Sequence, residues 1–221
     1  MLLTAADLLM VSALGTTAVA AVGIFSQPRM AILCFTRSYS VALSAYVARL
    51  RGLQANDSLT SCTRSSLVVG IFISSSILIL TWIFVFPLLR LAGAQNDYLP
   101  MALLYARPAL LSLAFSGPAI VLHGILIGLG DTRSVLIANV IGNGVNVALN
   151  VLLIHGIGPF PALGVLGAGI STAIGTGVTL IFTLAIFFAK GPQRFPERIW
   201  HLATAEKLSE NDCTFGLWSL L

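Results

Sequence analysis

Residues 123–183 read HGILIGLGDTRSVLIANVIGNGVNVALNVLLIHGIGPFPALGVLGAGISTAIGTGVTLIFT, and this stretch decides the fold. Two hydrophobic spans flank a short connection. In the first, Asn139, Asn143, Asn146 and Asn150 recur at spacings of four, three and four. At 3.6 residues per turn these amides share one face of a helix. In the second, Thr172, Thr176, Thr179 and Thr183 repeat the spacing. Amides and hydroxyls in hydrocarbon are costly without partners, so both stripes are expected to face a bundle interior or a wet cavity. Function is sought along that polar seam.

Composition sets the environment. Hydrophobic residues make up 57% of the chain and charged residues 9%, where a soluble domain carries about 25% charged. The expectation is an all-α integral membrane protein surrounded by lipid, its apolar runs close to the roughly 20 residues that a spanning helix needs. The net charge of +4 comes from basic residues flanking the spans, so no nucleic acid partner is expected. Cys34, Cys62 and Cys213 are isolated thiols without disulfide or metal-ligand spacing. The first residues lack the basic region and cleavage site of a secretory signal.

The spans follow in order. Residues 1–14 are apolar but cover only about 20 Å of a hydrocarbon core near 30 Å, which reads as the end of a helix that begins elsewhere. A second segment runs from about Thr17 to Val47, with Pro28 expected to kink it. The polar stretch Arg49 to Arg64 reads as a solvent loop. Further segments cover Ser65–Leu89, Met101–Leu129, Ser134–His155 and Val165–Ala189. Arg49, Arg51, Arg64, Arg133, Lys190, Arg194, Arg198 and Lys207 all fall on one side, which the positive-inside rule makes cytoplasmic. Residues 1–190 thus form a six-helix lobe with a partial first helix. Residues 191–221 form a cytoplasmic tail whose ending, FGLWSLL, reads as the start of a further, truncated span. The expectation is a fragment. Plasma membrane and organelle envelope are not separated by any feature.

ILIGLGDTR, NGVNVALNVLLIHGIGPFPALGVLGAGIST and the opening DLLMVSALGTTAVAAVG together resemble the multidrug and toxic compound extrusion (MATE) transporters, specifically the amino-terminal of their two six-helix lobes. The likeness runs from Asp7 to about Lys190. It implies a secondary antiporter that exports small organic, often cationic, compounds in exchange for protons or sodium ions, with a second lobe across a central cavity. It implies no cofactor beyond the coupling ion and no enzymatic activity. The family's ion-coupling residues carry over to Asp7, Tyr105, Asn146, Asn150 and Thr172. Asn150 stands where some relatives have Asp, and Ile127 where the family often has Arg.

A depth count groups the same residues without the resemblance. Asp7, Asn150 and Thr172 each lie on the order of 10 Å below the outer helix ends, with Tyr105 slightly shallower. Asp7 is the only acidic residue within any span, and such a carboxylate is a functional hypothesis by default. It can carry a proton, or join Asn and Thr oxygens as a hard-ligand site for sodium, the one metal considered. Asn139, Asn143 and Thr176 are assigned to the cavity lining.

Blander readings compete. Asn and Thr stripes are also helix–helix glue, and Gly167, Ser171 and Gly175 form a small-residue ridge that serves packing. His123 and His155 cap or pack more readily than they relay protons. GLGDTR lacks the Gly-Lys-Ser/Thr ending of a phosphate loop, so Asp131 is expected to cap the fifth helix. Ser74, Ser75 and Ser76 satisfy local backbone groups. Arg29 and Arg37 lie near one face and could meet an anionic substrate or lipid. Arg37 can snorkel, whereas Arg29 sits where an apolar residue is expected. Two other classes were weighed: a non-transporting membrane remnant, and an intramembrane serine hydrolase built on Ser116-Gly117 and a histidine, for which Ala114 breaks the G-x-S-G pattern.

Overall fold

The structure is a computed structural model, and it describes residues 10–12, 14–95, 97, 99–156 and 161–194. Among these residues are six helices: α1 (Thr16–Gly52), α2 (Asn56–Ile83), α3 (Val85–Leu91), α4 (Leu99–Gly128), α5 (Thr132–His155) and α6 (Val165–Arg194). Five of them, all but α3, are long and apolar enough to cross a membrane. The chain is a multi-pass integral membrane protein. Its outward faces agree with that placement: Phe35, Phe72, Leu136 and Ile181 are each more than 60% exposed, a surface suited to lipid and not to water.

Two boundaries differ from the sequence reading. The stretch Arg49 to Arg64 is not a loop. α1 continues to Gly52 and α2 begins at Asn56, so only Leu53–Ala55 connect them. Polar composition there marks emergence from the bilayer, not loss of helix. At the other end α6 continues past residue 190 to Arg194. The rest of the tail lies outside the described residues, as do Asp7 and most of the first segment.

Local chemistry explains the breaks. α2 and α3 are separated only at Phe84, whose N–H still donates to Leu80 O at 3.0 Å. Pro87, in the first turn of α3, has no N–H to return to Ile83 and so interrupts the ladder there. Asp131 caps α5 as expected: its carboxylate accepts from the Ser134 N–H at 3.3 Å and from the Ser134 hydroxyl at 2.6 Å. Gly156, at φ 69°, closes the other end of α5 in the left-handed conformation that glycine adopts without a Cβ penalty.

α4 is the axis of the bundle. In its apolar stretch 61% of residues are buried, against 22–33% in the other spans. It packs along α1, α2 and α6, while α5 packs on α6 and barely meets α4. The registers are specific. The Phe25 ring of α1 stands edge-on to Tyr105 of α4 at 5.5 Å, and the Ser40 hydroxyl donates to Ile120 O at 2.7 Å. About three turns further in, the Arg51 guanidinium donates to the carbonyl of Leu129 just past the end of α4, where a cation complements the helix dipole. α6 runs parallel to α4, with Gly169 seated on Pro108 and the Tyr105 carbonyl and Gly177 against Phe115. The outer core gathers Val11, Val22, Phe25, Tyr105, Ile154 and Ala168 into one cluster.

Candidate functional site

α5 and α6 approach through glycine. A Cβ on Gly175 would lie 2.6 Å from the Asn146 Cβ and 2.9 Å from Gly142 O, and one on Gly167 would lie 2.8 Å from Leu153 O. No side chain fits at those positions, so the two backbones come close enough for short polar side chains to meet across the seam. The ridge of Gly167, Ser171 and Gly175 does serve packing. It also does something the spacing did not reveal.

Ser171, fully buried, donates its hydroxyl to Asn150 Oδ1. Asn150 in turn donates Nδ2 to Asn146 Oδ1 at 3.3 Å. The chain of donors therefore runs Ser171 to Asn150 to Asn146. There it stops: Asn146 is 2% exposed, and its buried Nδ2 has no hydrogen-bond partner among the described residues. A buried amide donor left without an acceptor costs about 1–3 kcal/mol, and in a native structure such a group calls for an occupant or a function.

The four asparagines thus part company. Asn146 and Asn150 are buried in the relay. Asn139 is half-buried and donates Nδ2 to Val135 O at 2.8 Å, back along its own helix. Asn143 is exposed.

The threonines behave differently again. Thr172, Thr176, Thr179 and Thr183 each donate to the carbonyl four residues earlier, at 2.9, 2.7, 3.0 and 2.7 Å. Their hydroxyl protons are satisfied within α6, so the stripe does not need a cavity to be stable. Thr172 and Thr183 are buried nonetheless and Thr176 half-buried. The cross-helix bond to Asn150 comes from Ser171, the neighbour of Thr172. The spacing of Ser171 marks packing alone; its place on the ridge facing α5 is the signal for more.

Thr183 has a further role. Its proton goes to Thr179 O, so its oxygen accepts from His123 Nε2, 3.0 Å away on α4. That assigns a proton to Nε2 of His123. The histidine is a cross-helix tie in the inner half of the bundle. Ser116 donates instead to Leu113 O at 3.3 Å, and among the described residues no histidine bonds to it, so the hydrolase reading has no dyad to stand on.

Tyr105 is 3% exposed and sits within the outer core beside Phe25. Through Gly169, which touches its carbonyl and lies two residues from Ser171, it shares the level of the relay to within about one helical turn. The structure brings Asn146, Asn150 and Ser171 into one bonded chain and places Tyr105 and Thr172 alongside. Among the described residues no cluster of three His, Cys, Asp or Glu could hold a metal ion.

Comparison with known proteins places these features. The profile of a family described as MatE matches residues 1–152. A protein named FAD transporter, from Shewanella oneidensis, is 31% identical over 172 residues, covering 76% of this chain and 37% of its own length. A probable multidrug resistance protein NorM from Acinetobacter baylyi is 29% identical over 193 residues, covering 85% and 42%. Among solved structures, the outward-facing conformation of a multidrug resistance MATE family transporter superposes with a TM-score of 0.85 at 26% identity, over 98% of this chain and 46% of that one. The chain spans less than half the length of these relatives.

Proposed function

This chain belongs to the MATE family of transporters, and from that premise we propose that it forms one lobe of an antiporter that exports small organic compounds against an inward flow of protons or sodium ions. The second lobe faces it across a central cavity, and rocking of the two exposes that cavity to each side in turn. The names of the relatives range from multidrug resistance to FAD, which supports an organic cargo without fixing one.

The observation that carries the reading is the unanswered donor at the end of the amide chain. Asn146 Nδ2 is buried and lacks an acceptor. We assign that acceptor to the Asp7 carboxylate or to a ligand of the coupling ion. A deprotonated carboxylate accepts from the amide; a proton or sodium ion on the carboxylate competes for the same oxygens. Ion loading therefore changes what Asn146 and Asn150 bond to, and through Ser171 what α6 presents to α5. Tyr105 and Thr172 border this arrangement, with Asn139, Asn143 and Thr176 toward the cavity. Pairing of the chain with lipid on its outer face and with a second lobe on its inner one completes the assembly.

The test is Asp7→Asn in proteoliposomes that hold the two-lobe transporter, with dye efflux driven separately by a proton and by a sodium gradient. Ion-driven efflux is expected to fall at least tenfold while the melting temperature holds. Efflux at the unmodified rate under both gradients refutes the proposal, and the gradient that drives the unmodified protein identifies the ion.

A further inference from the structure

The buried face of α1 repeats every seven residues through Val22, Thr36, Leu43 and Leu50, all between 0% and 7% exposed. Arg29 occupies the same register, between Val22 and Thr36. A position that the helix elsewhere fills with core side chains here holds a guanidinium. Arg37, by contrast, is exposed, so the two arginines do not share an environment as their spacing suggested.

Arg29 is half-buried as a residue, but its Nε is buried and without a hydrogen-bond partner among the described residues. No acid answers it among the described residues. Asp57 lies in the first turn of α2, Asp131 caps α5, and Asp97 lies in the connection before α4, all at the ends of the bundle. A guanidinium is always charged, so its Nε cannot shed a proton to make up for the missing partner. An unpaired charge in hydrocarbon marks a pathway or a ligand.

Depth sharpens the assignment. Phe25 abuts Tyr105, so Arg29, one turn further in, is level with Ala109 of α4. Gly169 of α6 also approaches the Ala109 N–H, and Ser171 follows two residues later. Arg29 therefore lies at the level of Ser171 and Asn150, well below the outer ends of the helices, where lipid headgroups sit. Just inward of it a cleft between α1, α2 and α4 is lined by Thr36, Ser74 and Ser116 among apolar side chains. Two buried donors without acceptors, Arg29 Nε and Asn146 Nδ2, thus occupy neighbouring depths on different helices.

We propose that Arg29 binds an oxyanion, a carboxylate or phosphate carried by a soluble organic compound, so that the cavity of this protein accepts anionic cargo. The planar fork of the guanidinium suits such a group better than a point charge does. This deepens the transport reading and rests on it.

The experiment uses two xanthene dyes of similar shape and opposite charge, fluorescein and rhodamine 6G. Their binding to the two-lobe transporter in phosphatidylcholine nanodiscs is read by fluorescence anisotropy. Saturable fluorescein binding is expected, weakened about tenfold or more by Arg29→Met and partly retained by Arg29→Lys, with rhodamine 6G affinity the same in all three. A thermal melt of each variant separates misfolding from loss of the ligand, and Arg29→Lys keeps the test meaningful should Arg29→Met fail to fold. Fluorescein binding that is absent, or indifferent to Arg29→Met, while rhodamine 6G binds normally overturns this inference and spares the transport reading. Failure to bind either dye overturns both. Displacement of fluorescein when a third of the lipid is phosphatidylglycerol overturns the soluble cargo in favour of a headgroup.

Discussion

The asparagines of α5 and the threonines of α6 follow the same spacing, yet only one stripe asks for anything. A threonine hydroxyl has one proton, and a helix offers it a carbonyl four residues back. All four threonines take that offer. An asparagine amide has two donors and an acceptor with two lone pairs, more than its own helix can satisfy. Asn139 finds a local carbonyl, but Asn146 and Asn150 must look outward, to each other and to Ser171. Polarity in a membrane helix signals function only after local satisfaction has been subtracted.

That contrast can be broken or sharpened by substitution. Asn150→Leu leaves Asn146 Oδ1 without its donor and sends the Ser171 hydroxyl back to Ala168 O of its own helix, so a loss of about 1–3 kcal/mol of stability is expected, together with loss of ion-driven efflux. Denaturation in detergent and proteoliposome transport report the two. A variant as stable as the parent would mean that the relay carries no energy. Thr183→Val removes the acceptor of His123, for which a smaller loss of about 0.6–1.7 kcal/mol is expected by the same measurement. Thr176→Val removes only a bond within α6 from a half-buried site, and its stability is expected to change by less than about 0.5 kcal/mol. Should Thr176→Val cost as much as Asn150→Leu, the distinction between the stripes collapses.

The spans themselves were legible because length and apolar content decide them: α4, α5 and α6 begin within two residues of where the pattern places them. The stretch between residues 49 and 64 was not, because helices that emerge into water become polar without ending. Within the site, the asparagine face was legible from periodicity, whereas its partner was not. Ser171 lies one residue before a threonine that matched the family pattern, and a difference of about 100° around the helix decides which of the two meets α5. Which hydroxyls bond to their own helix depends on side-chain rotamers, and spacing carries no record of those. Arg29 was visible as an anomaly; the seven-residue register of α1 shows that it is built into a core position.

The order of packing has a mechanical side. α5 meets α6 through facing glycines and scarcely touches α4, so the pair joins the rest of the bundle chiefly along one line, the face of α6 that runs against α4 from Gly169 on the Pro108 ring to Thr183 beside His123. A small tilt along that line would swing the asparagines sideways as cargo of α6, without sliding any contact between the two leaf helices. The same joint would leave α1, α2 and α4, and Arg29 with them, standing still.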